Sequence, residues 1–183
     1  MLTARLRILL AGAVIVLAGL AGCTGDSDKD RSQKPLVTNP PESSPTLHAK
    51  KADLPERPEG AGEFDSDAPE EFTATRTGLY YRILRKGTGR QPKSFDTVIV
   101  HYKGWLDNGK QFDSSYDRIP REPLTTALTQ VVPGWTEGVQ LIGEGGMIEL
   151  EIPSKLGYGP QGHPPGIPPN AKLHFIIELK KIK

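Results

Sequence analysis

Beyond Phe72, apolar and polar positions alternate with a period of two, broken once by a period near four. Leu79, Tyr81 and Ile83 occupy every second position, as do Val98, Val100 and Tyr102, with Ile99 and His101 facing the other way. The same spacing returns at Ile148, Leu150 and Ile152, and at Leu173, Phe175, Ile177 and Leu179. Residues two apart share one face of a strand, so each run predicts a strand with one face on a core. Asp107-Asn108-Gly109 is a hairpin turn signal, after which Gln111 to Ser114 resumes extended structure. The exception is Trp135, Val139 and Ile142 at i, i+4 and i+7, one face of a helix. Pro133 suits its first position and Gly143 its stop. About two turns of helix do not persist alone, so this one must be held by its surroundings. The pattern predicts an α+β domain, a mostly antiparallel sheet with one helix laid on its apolar face. From the helix alone, Trp135 is either a core plug or the floor of an apolar pocket.

The first 71 residues follow another logic. Arg5 and Arg7 precede an apolar run from Ile8 to Leu20, and no acidic residue occurs before Asp26. That run is short for a membrane span and has the form of a secretory signal. Its end, Leu20-Ala21-Gly22-Cys23, resembles the bacterial lipobox. The resemblance implies removal of residues 1–22, acylation of Cys23, and an extracytoplasmic protein anchored by lipid to an envelope membrane. An ordinary signal peptide with an incidental cysteine is the alternative. Cys23 is the single cysteine, so no disulfide forms within one chain. Residues 24–71 carry seven prolines and twelve acidic against six basic side chains, without apolar periodicity. With Cys23 they read as a disordered acidic linker, residues 23–71, preceding the domain at 72–183. Linker and domain have opposite net charge, so weak, salt-sensitive contact between them is expected. The mature chain is close to neutral, and nothing in its balance points to nucleic acid. Gly87-Thr88-Gly89 is followed by no β-α crossover and is not a dinucleotide fingerprint. His48, His101 and His174 lack metal-ligand spacing, and no metal or cofactor is expected.

Four groups of residues carry a more specific resemblance. They are Val100-His101-Tyr102-Lys103-Gly104; Gly109-Lys110-Gln111-Phe112-Asp113-Ser114-Ser115; Val131-Val132-Pro133-Gly134-Trp135; and Leu156-Gly157-Tyr158-Gly159 with Pro164-Pro165-Gly166-Ile167-Pro168-Pro169-Asn170. In order and spacing they resemble the FK506-binding-protein family of peptidyl-prolyl cis–trans isomerases, in its secreted bacterial, macrophage infectivity potentiator-like branch. The resemblance runs from about Gly78 to Lys183. It implies a five-stranded antiparallel sheet wrapped around the short helix, with an apolar pocket between them. Carried over by position, Trp135 floors the pocket, and Tyr102, Phe112, Val131, Val132, Tyr158, Ile167 and Phe175 line it. The Val132 N–H and the Tyr158 hydroxyl bond carbonyls of a bound peptide, and Asp113 sits at the rim near Tyr102 and Arg118. Leu124 and His163 join Arg118, Val131 and Ile167 as contacts to substrate or FK506, although a solvent-facing His163 is equally compatible with its Pro/Gly loop. The implied partners are X-Pro segments of unfolded or partly folded proteins, with FK506-like macrolides as inhibitors.

Plainer readings stand beside these. Tyr102, Phe112 and Phe175 alternate correctly for core positions, and Asp113 with Arg118 could be a surface ion pair. The family often places aromatics after Pro123, where this chain has Leu124 and Thr126, so the pocket wall is expected to be thinner there. Infectivity-type relatives often carry a helical dimerisation segment before the domain. Here that region is too rich in proline, and a monomer is expected. Two functional rivals remain: a non-catalytic proline-peptide-binding chaperone or adhesin module, and a structural envelope lipoprotein with a relict pocket.

Overall fold

A computed structural model describes residues 50–183, with Lys50 as backbone only. The signal segment, Cys23, His48 and the first part of the expected linker lie outside the described residues. Among the described residues the strands are β1 (Lys50–Lys51), β2 (Glu71–Ala74), β3 (Tyr80–Arg85), β4 (Thr97–Leu106), β5 (Gln111–Ser114), β6 (Leu124–Ala127), β7 (Met147–Ile152) and β8 (Leu173–Ile182), with one α-helix, α1 (Pro133–Val139). They form a single antiparallel sheet in the order β1-β2-β3-β7-β8-β4-β5, with β6 also on β4.

The sheet therefore has eight described strands rather than five. Ten-residue β4 is too long for one short partner. Its first part, Thr97 to Val100, pairs with β6, and Lys103 to Trp105 pairs with β5. The other additions, β1 and β2, extend the edge beyond β3. Alternation places Val98, Val100 and Tyr102 inward from β4, and Leu173, Phe175, Ile177 and Leu179 inward from β8, all buried. They enclose Trp135, Val139 and Ile142 in one core. Burying such side chains is worth roughly 1.5–3 kcal/mol each, which holds a helix too short to stand alone.

Helix α1 begins at Pro133 as expected but ends at Val139, before Gly143. Ile142 still packs inward, 1% exposed, from the turn that follows. Gly134 and Gly138 let the helix press onto β7, since a Cβ at either would lie 2.5 Å from Ile152 or 2.6 Å from Leu150.

Within the stretch expected as linker, Lys50–Lys51 and Glu71 pair at the edge of the sheet and residues 52–70 lie against its outward-facing arginines. The Arg82 guanidinium donates to the carbonyls of Ala52 (2.6 Å), Asp53 (2.5 Å) and Glu70 (3.0 Å), and its Nε to Glu149 (2.6 Å). Arg85 donates to Glu63 O at 2.7 Å, and Asp65 N to Leu84 O at 2.8 Å. Ala61 is buried with Leu84, Tyr116, Met147 and Ile176, with Phe64 packed against them, as a second cluster. The composition of this stretch cannot build a core of its own; it folds because the sheet supplies apolar surface and arginines for its carbonyls.

Candidate active site

Between the concave face of the sheet and α1 lies an open cleft of about 700 Å³. Its floor is Trp135, only 4% exposed, supplied by the first turn of α1. Tyr102 from β4 and Phe175 from β8 meet it edge-on, each with ring centroids 5.2 Å from the indole. Phe112 from β5 stands edge-on to Phe175 at 5.4 Å. Successive edge-to-face contacts lock the rings at fixed angles, so the cleft is shaped before anything enters it. Gly104 makes this possible. A Cβ there would lie 2.6 Å from Phe175 and 2.7 Å from Phe112.

Two facts bear on the floor-or-plug alternative for Trp135. Its ring lines the cleft, and its Nε1 is the single buried side-chain polar atom without a hydrogen-bond partner among the described residues. Buried indole N–H groups are normally satisfied, and this one is left as an uncommitted donor.

Polar groups stand at the rim. The Tyr102 hydroxyl donates a short bond to Asp113 and accepts one from Arg118 Nη2 at 2.8 Å, while Arg118 also reaches Asp113 Oδ1 at 3.3 Å. Burial, reinforced by the hydrogen bond to Asp113, pushes the Tyr102 hydroxyl well above an ordinary phenol, so it stays protonated. Burial, then the nearby Asp113 charge, raises Tyr158 as well. The Tyr158 ring stacks on His163 with centroids 5.0 Å apart. Val132, just before α1, spends its carbonyl on the amides of Trp135 (2.9 Å) and Thr136 (3.2 Å). Its own N–H donates to no backbone carbonyl among the described residues, and the residue lines the cleft.

The structure thus gathers Tyr102, Phe112, Asp113, Leu124, Val131, Val132, Trp135, Tyr158, His163, Ile167 and Phe175 around one cleft. Arg118 does not line it but braces its rim through Tyr102 and Asp113. Leu124 reaches the wall because β6 pairs it with Val100. Gln130, Pro164, Pro165 and Gly166 also line the cleft and were not singled out as site residues. The sequence signal for the last three was their position beside Ile167, whose amide and carbonyl bridge those of His163. Nothing in the sequence marked Gln130. Among the described residues no group of three His, Cys, Asp or Glu side chains could hold a metal ion.

A sheet curled around one short helix, with an aromatic-floored cleft between them, defines an FK506-binding-type domain. The chain belongs to the FKBP-type peptidyl-prolyl cis-trans isomerase family, whose model matches residues 88–180. It is similar to the FKBP-type peptidyl-prolyl cis-trans isomerase FkpA of Escherichia coli (strain K12), with 52% identity over 107 residues, 58% of this chain and 38% of that protein. It is also similar to an FK506-binding protein of Neisseria meningitidis serogroup B, with 47% identity over 107 residues, 57% of this chain and 96% of that one. The crystal structure of E. coli FkpA matches with a TM-score of 0.58 at 49% identity, covering 61% of this chain and 51% of that one. The chain therefore spans well under half the length of the FkpA sequence it matches.

Proposed function

We propose that this chain is a peptidyl-prolyl cis–trans isomerase acting outside the cytoplasm on X-Pro bonds of unfolded or partly folded exported proteins. In this reading it is a monomer held to an envelope membrane by lipid on Cys23. The observation that carries the activity is the pre-shaped cleft over buried Trp135, with the uncommitted Val132 N–H at its edge. Rotation about an X-Pro bond has a barrier of about 18–20 kcal/mol, because the twisted amide loses conjugation. The twisted amide is also less charge-separated than the planar one. A cleft walled by Tyr102, Phe112, Trp135 and Phe175 therefore disfavours the planar ground state relative to the midpoint. Preorganised donors, the Val132 N–H and the Tyr158 hydroxyl, hold the flanking carbonyls while the bond turns. A 10⁴-fold acceleration requires only about 5.5 kcal/mol of differential binding. Tyr102 and Asp113 move no proton in this scheme; with Arg118 they fix the rim. FK506-like macrolides compete for the same cleft, a reading supported by family membership.

The test is a protease-free isomerisation assay of the full chain on a short X-Pro peptide, with and without FK506. Catalysis abolished by FK506 is expected. Trp135→Leu, folded by circular dichroism, is expected to lose at least about ten-fold in kcat/KM, roughly 1.4 kcal/mol of transition-state stabilisation. Full activity in that variant would refute the floor assignment. Peptide binding without turnover in the wild type would replace the isomerase by a proline-peptide-binding module.

A further inference from the structure

Ile119 is 100% exposed at the tip of the loop between β5 and β6, the most exposed large hydrophobic residue among those described. It contributes nothing to the core, yet the loop that carries it is braced on both sides. Gln111 Nε2 donates to Asp117 at 2.6 Å, and Arg118 is bonded to Tyr102 and Asp113. Arg121 Nε donates to Tyr116 O at 2.8 Å, and its Nη2 lies 3.5 Å from Glu59. Arg118, which immediately precedes Ile119, is bonded to Tyr102 and Asp113, two residues that line the cleft, so the isoleucine follows directly on a residue tied to the cleft rim.

A slack loop with a solvent-facing aliphatic would be unremarkable. Here several polar contacts brace the loop that carries such a side chain, one of them through Arg118 to the cleft residues Tyr102 and Asp113, and apolar area left in water is unfavourable until something covers it. What passes over this place is set by the cleft. An extended chain advances about 3.3 Å per residue, so a segment with its proline over Trp135 carries its flanking residues, not the proline itself, out past the rim that Arg118 braces.

We propose that Ile119 is a substrate-contact residue outside the proline cleft, where an apolar side chain flanking the proline of an unfolded segment packs. The inference rests on the isomerase reading above and names its substrate class, prolines embedded in apolar, core-forming sequence. Such flanks are exposed in unfolded chains and buried in folded ones, so the contact favours unfolded clients over surface loops of finished proteins.

The experiment compares three peptides with the same Leu-Pro centre: a tetrapeptide, a long peptide with Leu and Val three and four residues from the proline on both sides, and one with Ser at those positions. KM and kcat are measured for the full chain, Ile119→Ser and Ile119→Leu. For the wild type and Ile119→Leu, the apolar-flanked peptide is expected to have a KM roughly three- to ten-fold below that of the serine-flanked one. Ile119→Ser is expected to abolish this difference while leaving kcat and the tetrapeptide kcat/KM unchanged. Because Ile119 is fully exposed, the serine variant keeps the fold, checked by an unchanged Tm. Equal KM values in the wild type, or a preference that survives in Ile119→Ser, overturn the inference and leave the isomerase reading standing. No isomerisation of any peptide overturns both.

Discussion

Gly104 and His101 show how single positions on β4 serve opposite faces of the sheet. Gly104 has no side chain because Phe112 and Phe175 occupy the space one would need. In Gly104→Ala the rings must shift, with an expected loss of about 1–3 kcal/mol of stability from overpacking. The larger effect is expected in kcat/KM, since the edge-on contact of Phe112 with Phe175 shapes the cleft; urea unfolding and the peptide assay read the two separately. His101, next to Tyr102 but facing outward, shares Ser115 with it. Nδ1 lies 3.0 Å from the Ser115 hydroxyl, which accepts the Tyr102 N–H at 2.8 Å. Its ring stacks on Tyr116 with centroids 4.9 Å apart. Burial holds His101 below the usual histidine range, although Glu178 pulls the other way. The unfolded chain therefore takes up this proton first, below about pH 6.5, while the native state resists it. Native stability contributed by neutral His101 is present above that pH and is lost as pH falls toward the lower folded pKa. The stability difference between wild type and His101→Asn is expected to shrink as the pH of urea titrations is lowered from 7 to 5.5.

At the scale of elements, β2, β3 and residues 52–70 are joined by Arg82, and this is where sequence reasoning stopped short. Alternation along β3 places Tyr81 and Ile83 against the core and says nothing of what Arg82, on the other face, meets. Arg82 is 2% exposed, paired with buried Glu149, and stacked over Phe72 at 4.5 Å. A period-two pattern reports which face a residue takes. It does not report what covers the outer face, and the covering segment has no periodicity of its own. Arg82→Met removes the donors to three carbonyls and leaves Glu149 buried without its guanidinium, at an expected cost of roughly 3–5 kcal/mol. Trypsin should then cut after Lys51 and Arg57 faster than in the wild type, as followed by mass spectrometry. The helix was easier to read, because Pro133, Trp135, Val139 and Ile142 carry its start and its face in local chemistry. Its end was not. The chain leaves α1 at Val139 and still buries Ile142 from the turn, so spacing alone extended the helix too far.

For the whole molecule, the open question is where the domain works. Among the described residues no helix is long and apolar enough to cross a membrane; in the proposed reading, attachment is through lipid on Cys23. Cys23→Ala is expected to move the protein from the membrane pellet to the soluble fraction of fractionated cells, with peptide isomerisation per molecule unchanged. Retention in the pellet would remove the lipid anchor from the proposal. The sequence by itself determined the α+β class, the strands around Val98–Tyr102, Met147–Ile152 and Leu173–Leu179, and the short helix, while the cleft residues came only through resemblance to a known family. These are set by periodicity and by local motifs, which a linear chain displays. The tertiary structure alone decided that β4 carries two partners in succession along one edge, that residues 52–70 lie against the outer face, that Arg118 braces the rim rather than lining the cleft, and that the neighbouring Ile119 stands uncovered. Each of these depends on pairings between residues distant in the chain, where register, reach and the surface left over after folding select the contact.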